Sequence, residues 1–293
     1  MTATITIVLV LILLYIFARF VTAKMWALKQ TPHTDTPQKL GLDFEEVRFP
    51  TQNDRSLYGW WIPAKKSSSS APTLVLVHGW SRNLGRMLRY VQHLAPLNYN
   101  LLAFDARHHG SSDADDHASM YKFGQDVQAA VKYVQTRSID SNKIGVIGLS
   151  IGGAGSIFAS GMDPAIKALV TVGAPAHPVD VMTQEFKKHG VPNFLIWFML
   201  KQVEFKIGAK YETFAPVNNI GQSDAAFYII HGDQDKVVLP DQAEKLRKAA
   251  RPENLSSWII PGKAHSDCHH EPEFWTKLDN FFQTKLVVEE NKK

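Results

Sequence analysis

The 293-residue sequence predicts one doubly wound α/β domain: an eight-stranded, mostly parallel sheet with helices on both faces, a small helical cap and, ahead of it, an N-terminal transmembrane helix. Three observations carry this. Eight short stretches have strand character, and the central ones are apolar throughout, as strands covered on both faces must be. Stretches of helical spacing separate several of them. One interval, Ala174 to Ser223, is about 50 residues long, far beyond the usual connection of a few residues plus a helix.

The N-terminus differs in kind from the rest. Met1 to Ala18 contains no charged side chain, and Ile5 to Ala18 is almost wholly aliphatic or aromatic. About 20 residues cross the roughly 30 Å hydrocarbon core, and Arg19 could snorkel to the headgroups. A cleaved signal peptide is the rival reading, because Val21-Thr22-Ala23 offers small residues for cleavage. It lacks the basic region that normally precedes the apolar run. Arg19, Lys24 and Lys29 follow the run instead, which puts the C-terminal side in the cytoplasm. Residues 1–23 are therefore expected to be a single-pass membrane anchor, and 24–44 a linker containing Thr-Pro-His-Thr-Asp-Thr-Pro.

Glu45–Phe49 and Ser56–Ile62 flank the turn cluster Gln52-Asn53-Asp54 and suggest a hairpin. Thr73–Val77, Asn100–Phe104, Lys143–Ile147, Ala168–Val172, Ala226–Ile230 and Ser256–Ile260 are the apolar runs. Tyr121 to Thr136 aligns Phe123, Val127, Val131 and Val134 on one helical stripe. Asp241 to Ala250 and Pro272 to Phe282 behave similarly. The domain is expected over 45–285, with a cap at about 175–222 and a polar tail from 286 to 293. Phe194 to Leu200 forms an apolar block in the cap. It could line a substrate pocket, dock on the membrane or pack on the domain.

The composition excludes some functions. With 45% hydrophobic and 20% charged residues the chain is an ordinary globular protein. A net charge of +4 and the lack of a basic run interleaved with aromatics give nucleic-acid binding no support. The single cysteine, Cys268, forbids an intrachain disulfide. His265, Asp267, Cys268, His269 and His270 form a metal-friendly cluster. That segment has a better explanation below, and no metal or cofactor is expected.

Gly148-Leu149-Ser150-Ile151-Gly152 follows one strand and precedes a helix of small residues. A sharp turn there would lift the Ser150 hydroxyl above the sheet, and glycines at ±2 would remove the Cβ clashes such a turn creates. Here the chain resembles the α/β-hydrolase superfamily. His78-Gly79-Trp80 after the strand Thr73–Val77 is similar to the family's His-Gly turn. The resemblance implies that the amides of Trp80 and Ile151 form the oxyanion hole, with His78 a structural residue. Asp105-Ala106-Arg107-His108-His109-Gly110-Ser111 resembles the family's Asp-x-Arg-x-x-Gly-x loop, in which Asp105 and Arg107 would stabilise the loop. Whether His108 and His109 face a pocket or solvent stays open. His231-Gly232-Asp233-Gln234-Asp235-Lys236-Val237-Val238 implies Asp235 as the acid, with Asp233 the competitor. Gly262-Lys263-Ala264-His265 implies His265 as the base, with His269 and His270 the alternatives. The order Ser…Asp…His is the one this family uses.

The resemblance spans roughly 45 to 285 and is weakest over the cap. It implies a serine hydrolase, foremost one cleaving a carboxylic ester of a lipid or other acylated small molecule near the membrane. A serine aminopeptidase is the second reading. It would need acidic groups for the substrate amine, which Asp180, Glu185, Glu204 and Glu212 of the cap could supply. A non-catalytic, membrane-tethered binding protein of the same fold is the third.

Overall fold

The computed structural model describes residues 2–26 and 28–287. The expected polar tail therefore lies, beyond residue 287, outside the described residues. The eight strands are β1 (Glu45–Thr51), β2 (Arg55–Ile62), β3 (Thr73–Val77), β4 (Asn100–Phe104), β5 (Ile144–Leu149), β6 (Ile166–Val172), β7 (Ala226–Gly232) and β8 (Leu255–Ile260). They form one sheet in the order β1-β2-β4-β3-β5-β6-β7-β8. The hairpin β1–β2 joins β4 antiparallel, and β4 through β8 run parallel.

The period-2 geometry of a strand divides its side chains between two cores. Val75 and Val77 pack on one side with Phe123, Val127 and Val131 of α3 (Met120–Gln135) and Ile157 of α4 (Ile151–Ser160). Leu74 and Leu76 pack on the other with Val91 of α2 (Leu88–Leu94) and Leu278 and Phe282 of α10 (Phe274–Leu286). Each such side chain taken fully from water contributes roughly 1.5–3 kcal/mol before the entropy of ordering is set against it. The apolar runs thus reflect helices on both faces.

The long interval between β6 and β7 holds α5 (Pro178–Lys188), α6 (Asn193–Ile207), α7 (Tyr211–Phe214) and α8 (Pro216–Asn219). The apolar block of α6 divides. Leu195, Ile196, Met199 and Leu200 are buried against Phe158 and Phe214, while Phe194, Trp197 and Phe205 stay exposed, Phe205 at 90%.

The expected transmembrane span is not supported. Among the described residues no helix is long and apolar enough to cross a membrane. What is described is the 25-residue helix α1 (Thr2–Trp26), several of whose side chains lie outside the described residues. Its environment differs from that of a free span. Leu14 and Val21 pack against the α6 cluster, and buried Thr22 donates its hydroxyl to the Arg19 carbonyl at 3.1 Å. One side of α1 is thereby committed to protein.

Candidate active site

The site assembles where β3, β5, β7 and β8 end. Ser150 has φ 53° and ψ −122°, a conformation that costs an ordinary residue on the order of 1–3 kcal/mol. The surroundings impose it. Ser150 N–H donates to the Val172 carbonyl at 2.9 Å, holding the turn against β6. A Cβ on Gly152 would lie 2.3 Å from the His78 carbonyl oxygen, and one on Gly148 would lie 2.5 Å from the Gly153 backbone. Neither glycine can be replaced without opening the turn.

Asp235 and His265 meet Ser150 here. The Ser150 hydroxyl lies 3.0 Å from His265 Nε2, and His265 Nδ1 lies 2.6 Å from Asp235 Oδ2. Asp235 Oδ1 accepts from the amides of Val237 and Val238, both at 2.9 Å. Burial alone would raise the Asp235 pKa. The hydrogen bonds from His231, His265 and Val238 outweigh it and hold the carboxyl well below the usual range. A base one bond from the serine hydroxyl, backed by an anionic carboxylate, can take the hydroxyl proton as the oxygen attacks a carbonyl.

The competitors are otherwise engaged. Asp233 Oδ1 accepts from the Gly262 amide at 2.7 Å, closing the turn ahead of His265. The His269 ring faces the Arg89 guanidinium, and burial, then the Arg89 charge, push its pKa down to about 4. Gly232 lets the two loops meet, since a Cβ there would lie 2.1 Å from the Lys263 carbonyl oxygen.

Trp80 and Ile151 flank the serine. Ile151 is the first residue of α4, so its amide has no intrahelical acceptor. Gly79, just before Trp80, packs so closely that a Cβ there would lie 3.4 Å from Ser150 Cβ. Trp80 and Ser150 line the same cavity, about 330 Å³ in volume. Among the described residues no group of three or more His, Cys, Asp or Glu is arranged to hold a metal.

The histidines left open by sequence, His108 half-buried and His109 buried, do not line the Ser150 cavity. His108 Nδ1 lies 2.6 Å from the Asp115 carbonyl. His109 is buried beside Trp80 and Phe123, and its Nε2 accepts from Ser81 N–H at 3.3 Å. His78 Nε2 accepts from Ala106 N–H at 3.0 Å, which suits a structural residue. Burial pushes the His78 pKa down to about 3 and that of His109 down to about 4. Both therefore stay neutral when folded, while an unfolded histidine protonates near 6.5. Their contribution is fully present above pH 6.5 and is lost as pH falls toward 4, because only the unfolded chain takes up the protons. Stability should fall by roughly 2.4 kcal/mol between pH 6 and 5, about 1.2 for each histidine. The urea midpoint followed across that interval reads it, and a flat midpoint would refute the buried neutral pair.

Two groups of residues at the site escaped the sequence reading. His231 is buried, 2.9 Å through Nε2 from the Val238 carbonyl and 3.3 Å from Asp235 Oδ2. Arg82, Arg86 and Arg89 line the Ser150 cavity, whereas no cap residue does. Their spacing after Gly79-Trp80 was the available signal.

Several known proteins have chains similar to this one. Residues 68–207 match the family model of the serine aminopeptidases, S33, an interval that includes Ser150 but stops short of Asp235 and His265. The uncharacterized protein YfhR of Escherichia coli O157:H7 is 25% identical over 252 residues, covering 83% of this chain and 81% of its own. The uncharacterized membrane protein YNL320W of Saccharomyces cerevisiae is 20% identical over 278 residues, covering 94% and 92%. Among solved structures, the Pyrococcus furiosus esterase Pf2001 superposes with a TM-score of 0.70 at 22% identity, covering 89% of this chain and 97% of that one.

Proposed function

We propose that this chain, a member of the α/β-hydrolase superfamily, is a serine hydrolase that cleaves carboxylic esters through an acyl-enzyme. The observation that carries the reading is the unbroken hydrogen-bonded line Ser150–His265–Asp235 beside an open cavity. In this reading His265 takes the Ser150 proton as Oγ bonds to the ester carbonyl carbon. The amides of Trp80 and Ile151 hold the oxyanion, and the alcohol leaves with the proton from His265. Water then attacks the acyl-enzyme with His265 again as base, releasing the carboxylic acid and restoring Ser150. Asp235 keeps the imidazole in the tautomer that presents a bare Nε2 to the serine.

An aminopeptidase fits less well. A substrate amine needs a carboxylate near the serine, and among the described residues none lines the cavity. Glu185 faces Lys188 and Asp180 faces Lys245 on the surface, and half-buried Glu204 faces Lys201. The proposed location is a membrane surface. Supporting it are the membrane description of the yeast relative and the apolar side chains α1 leaves half exposed, among them Ile5, Leu9, Ile16 and Phe20. A fluorophosphonate probe added to the full chain with liposomes tests both parts. Ser150 should be labelled, the labelled chain should float with the liposomes, and p-nitrophenyl acyl esters should turn over faster than aminoacyl p-nitroanilides. Folded protein that fails to label would end the hydrolase reading, and labelled protein left behind would end the membrane one.

A further inference from the structure

The cavity beside Ser150 carries an unusual charge. Arg82, Arg86 and Arg89 all line it, together with Ser150 and His265, and among the described residues no aspartate or glutamate does. Arg86 donates from Nη2 to the Ser266 carbonyl at 3.1 Å, next to His265. Arg89 is aimed by the ring of His269, which is neutral at pH 7 and so accepts from it without cancelling its charge. Arg82 is exposed at the rim. Burial lowers the Arg86 pKa first, then the charge of Arg89 and more weakly that of Arg82, so the three guanidiniums feel one another across the cavity. Among the described residues none of the three stands in an ion pair with a carboxylate.

Three cations gathered without a counter-charge repel one another, and the neutral acceptors they meet, the Ser266 carbonyl and the His269 ring, do not offset that charge. Elsewhere this chain pairs its buried cations: Arg107 faces Asp126 and Asp115, and Lys122 faces Asp115. An anion entering from solvent would supply what the cavity lacks. Guanidinium forks match the paired oxygens of a carboxylate or phosphate, and such charge-assisted bonds are the strong ones. A substrate amine would meet repulsion in the same place.

We infer that the substrate is an ester carrying an anionic group, a carboxylate or phosphate, which Arg82, Arg86 and Arg89 bind while Ser150 attacks the ester carbonyl. This rests on the serine-hydrolase reading and names its substrate class. The three arginines lie in the segment after β3, so specificity is set there and not by the cap.

Paired esters that differ only in charge test it on the full chain. Mono-4-nitrophenyl glutarate against its methyl ester places a carboxylate on the acyl side. The butyryl ester of 4-hydroxybenzoate against that of methyl 4-hydroxybenzoate places it on the alcohol side, and 4-(butyryloxy)phenyl phosphate replaces it there with phosphate. The wild type should favour the charged member of at least one pair by about tenfold or more in kcat/KM, mainly through KM. The preferred pair identifies the anion and the side. Arg86→Gln and Arg89→Gln should each bring the ratio toward one, and exposed Arg82→Gln, the variant least able to disturb folding, should lower it in part. The preference should also shrink as salt rises. Equal or slower turnover of every charged member, or a ratio that survives the Arg86→Gln/Arg89→Gln double variant, overturns the proposal. Should no ester be cleaved and no probe label Ser150, the hydrolase reading fails by itself. Calorimetry with glutarate and inorganic phosphate then decides the anion site: binding lost in the arginine variants supports it, and no binding overturns it.

Discussion

Replacing Ser150 by alanine is expected to lower kcat on a p-nitrophenyl ester by on the order of a millionfold, and Asp235→Asn by about ten thousandfold. The two losses have different causes. Without Oγ there is no acyl-enzyme, and only the oxyanion donors and substrate binding remain. Asparagine at 235 keeps an acceptor for the Val237 and Val238 amides, so the loop should hold. Its amide NH2 then faces His265 Nδ1, where Oδ2 now lies at 2.6 Å. That favours the tautomer with hydrogen on Nε2, which cannot take the serine proton. Asp235→Asn should therefore fold normally and label slowly with fluorophosphonate, and adding it to Ser150→Ala should cost little beyond Ser150→Ala alone. Stopped assays on matched, folded proteins measure it. Ser150→Ala retaining more than about one percent of kcat, or Asp233→Asn costing more than Asp235→Asn, would displace these assignments.

The parts of this protein that were readable in sequence are those where one local rule governs. Each apolar run became a strand within a residue or two, and for β3 to β7 the reason is that a strand buried on both faces leaves little choice of side chain. Ser150 was legible because its strained turn excludes any Cβ at 148 and 152, and that exclusion is written as two glycines. Choosing Asp235 over Asp233 rested on resemblance. The physical difference, a carboxylate spent on the Gly262 amide against one aimed at His265, is tertiary. The membrane span was read from apolarity alone, and apolarity does not say that Leu14 and Val21 pack on α6. The cap's apolar block could have lined the pocket, met the membrane or packed on the domain, and the buried side of α6 packs with α1, α3 and α4 while no cap residue lines the Ser150 cavity. Arg82, Arg86 and Arg89 look like any solvated basic surface until the fold brings β5 and β8 opposite them.

The largest stability effect is expected at Arg107, remote from the reacting atoms. Its side chain is fully buried and reaches Asp126 through Nε at 2.7 Å, Asp115 at 3.2 Å and Gln125 at 2.7 Å. Asp126 also accepts from the Thr51 hydroxyl and the Arg107 amide, each at 2.8 Å, so one buried pair ties the end of β1 to α3 and the loop after β4. Burial raises the Asp126 pKa even with Arg107 beside it. Arg107→Met would leave that carboxylate buried without its cation, at a cost of about 3–5 kcal/mol. At roughly 2–4 °C per kcal/mol, Tm should fall by around 10 °C. The loss should be smaller at pH 5 than at pH 7, because the orphaned Asp126 can then take up a proton. Adding Asp126→Leu to Arg107→Met should recover part of it, since the unpaired charge goes too. A loss below 1 kcal/mol, or none recovered in the double variant, would show the pair to be incidental. Activity should fall as well, by a route the geometry specifies. The same loop carries His109, which packs on Trp80 and accepts from Ser81, so loosening Arg107 loosens the proposed oxyanion donor before it touches Ser150. Among variants still folded at the assay temperature, kcat should therefore drop while the rate of fluorophosphonate labelling drops with it.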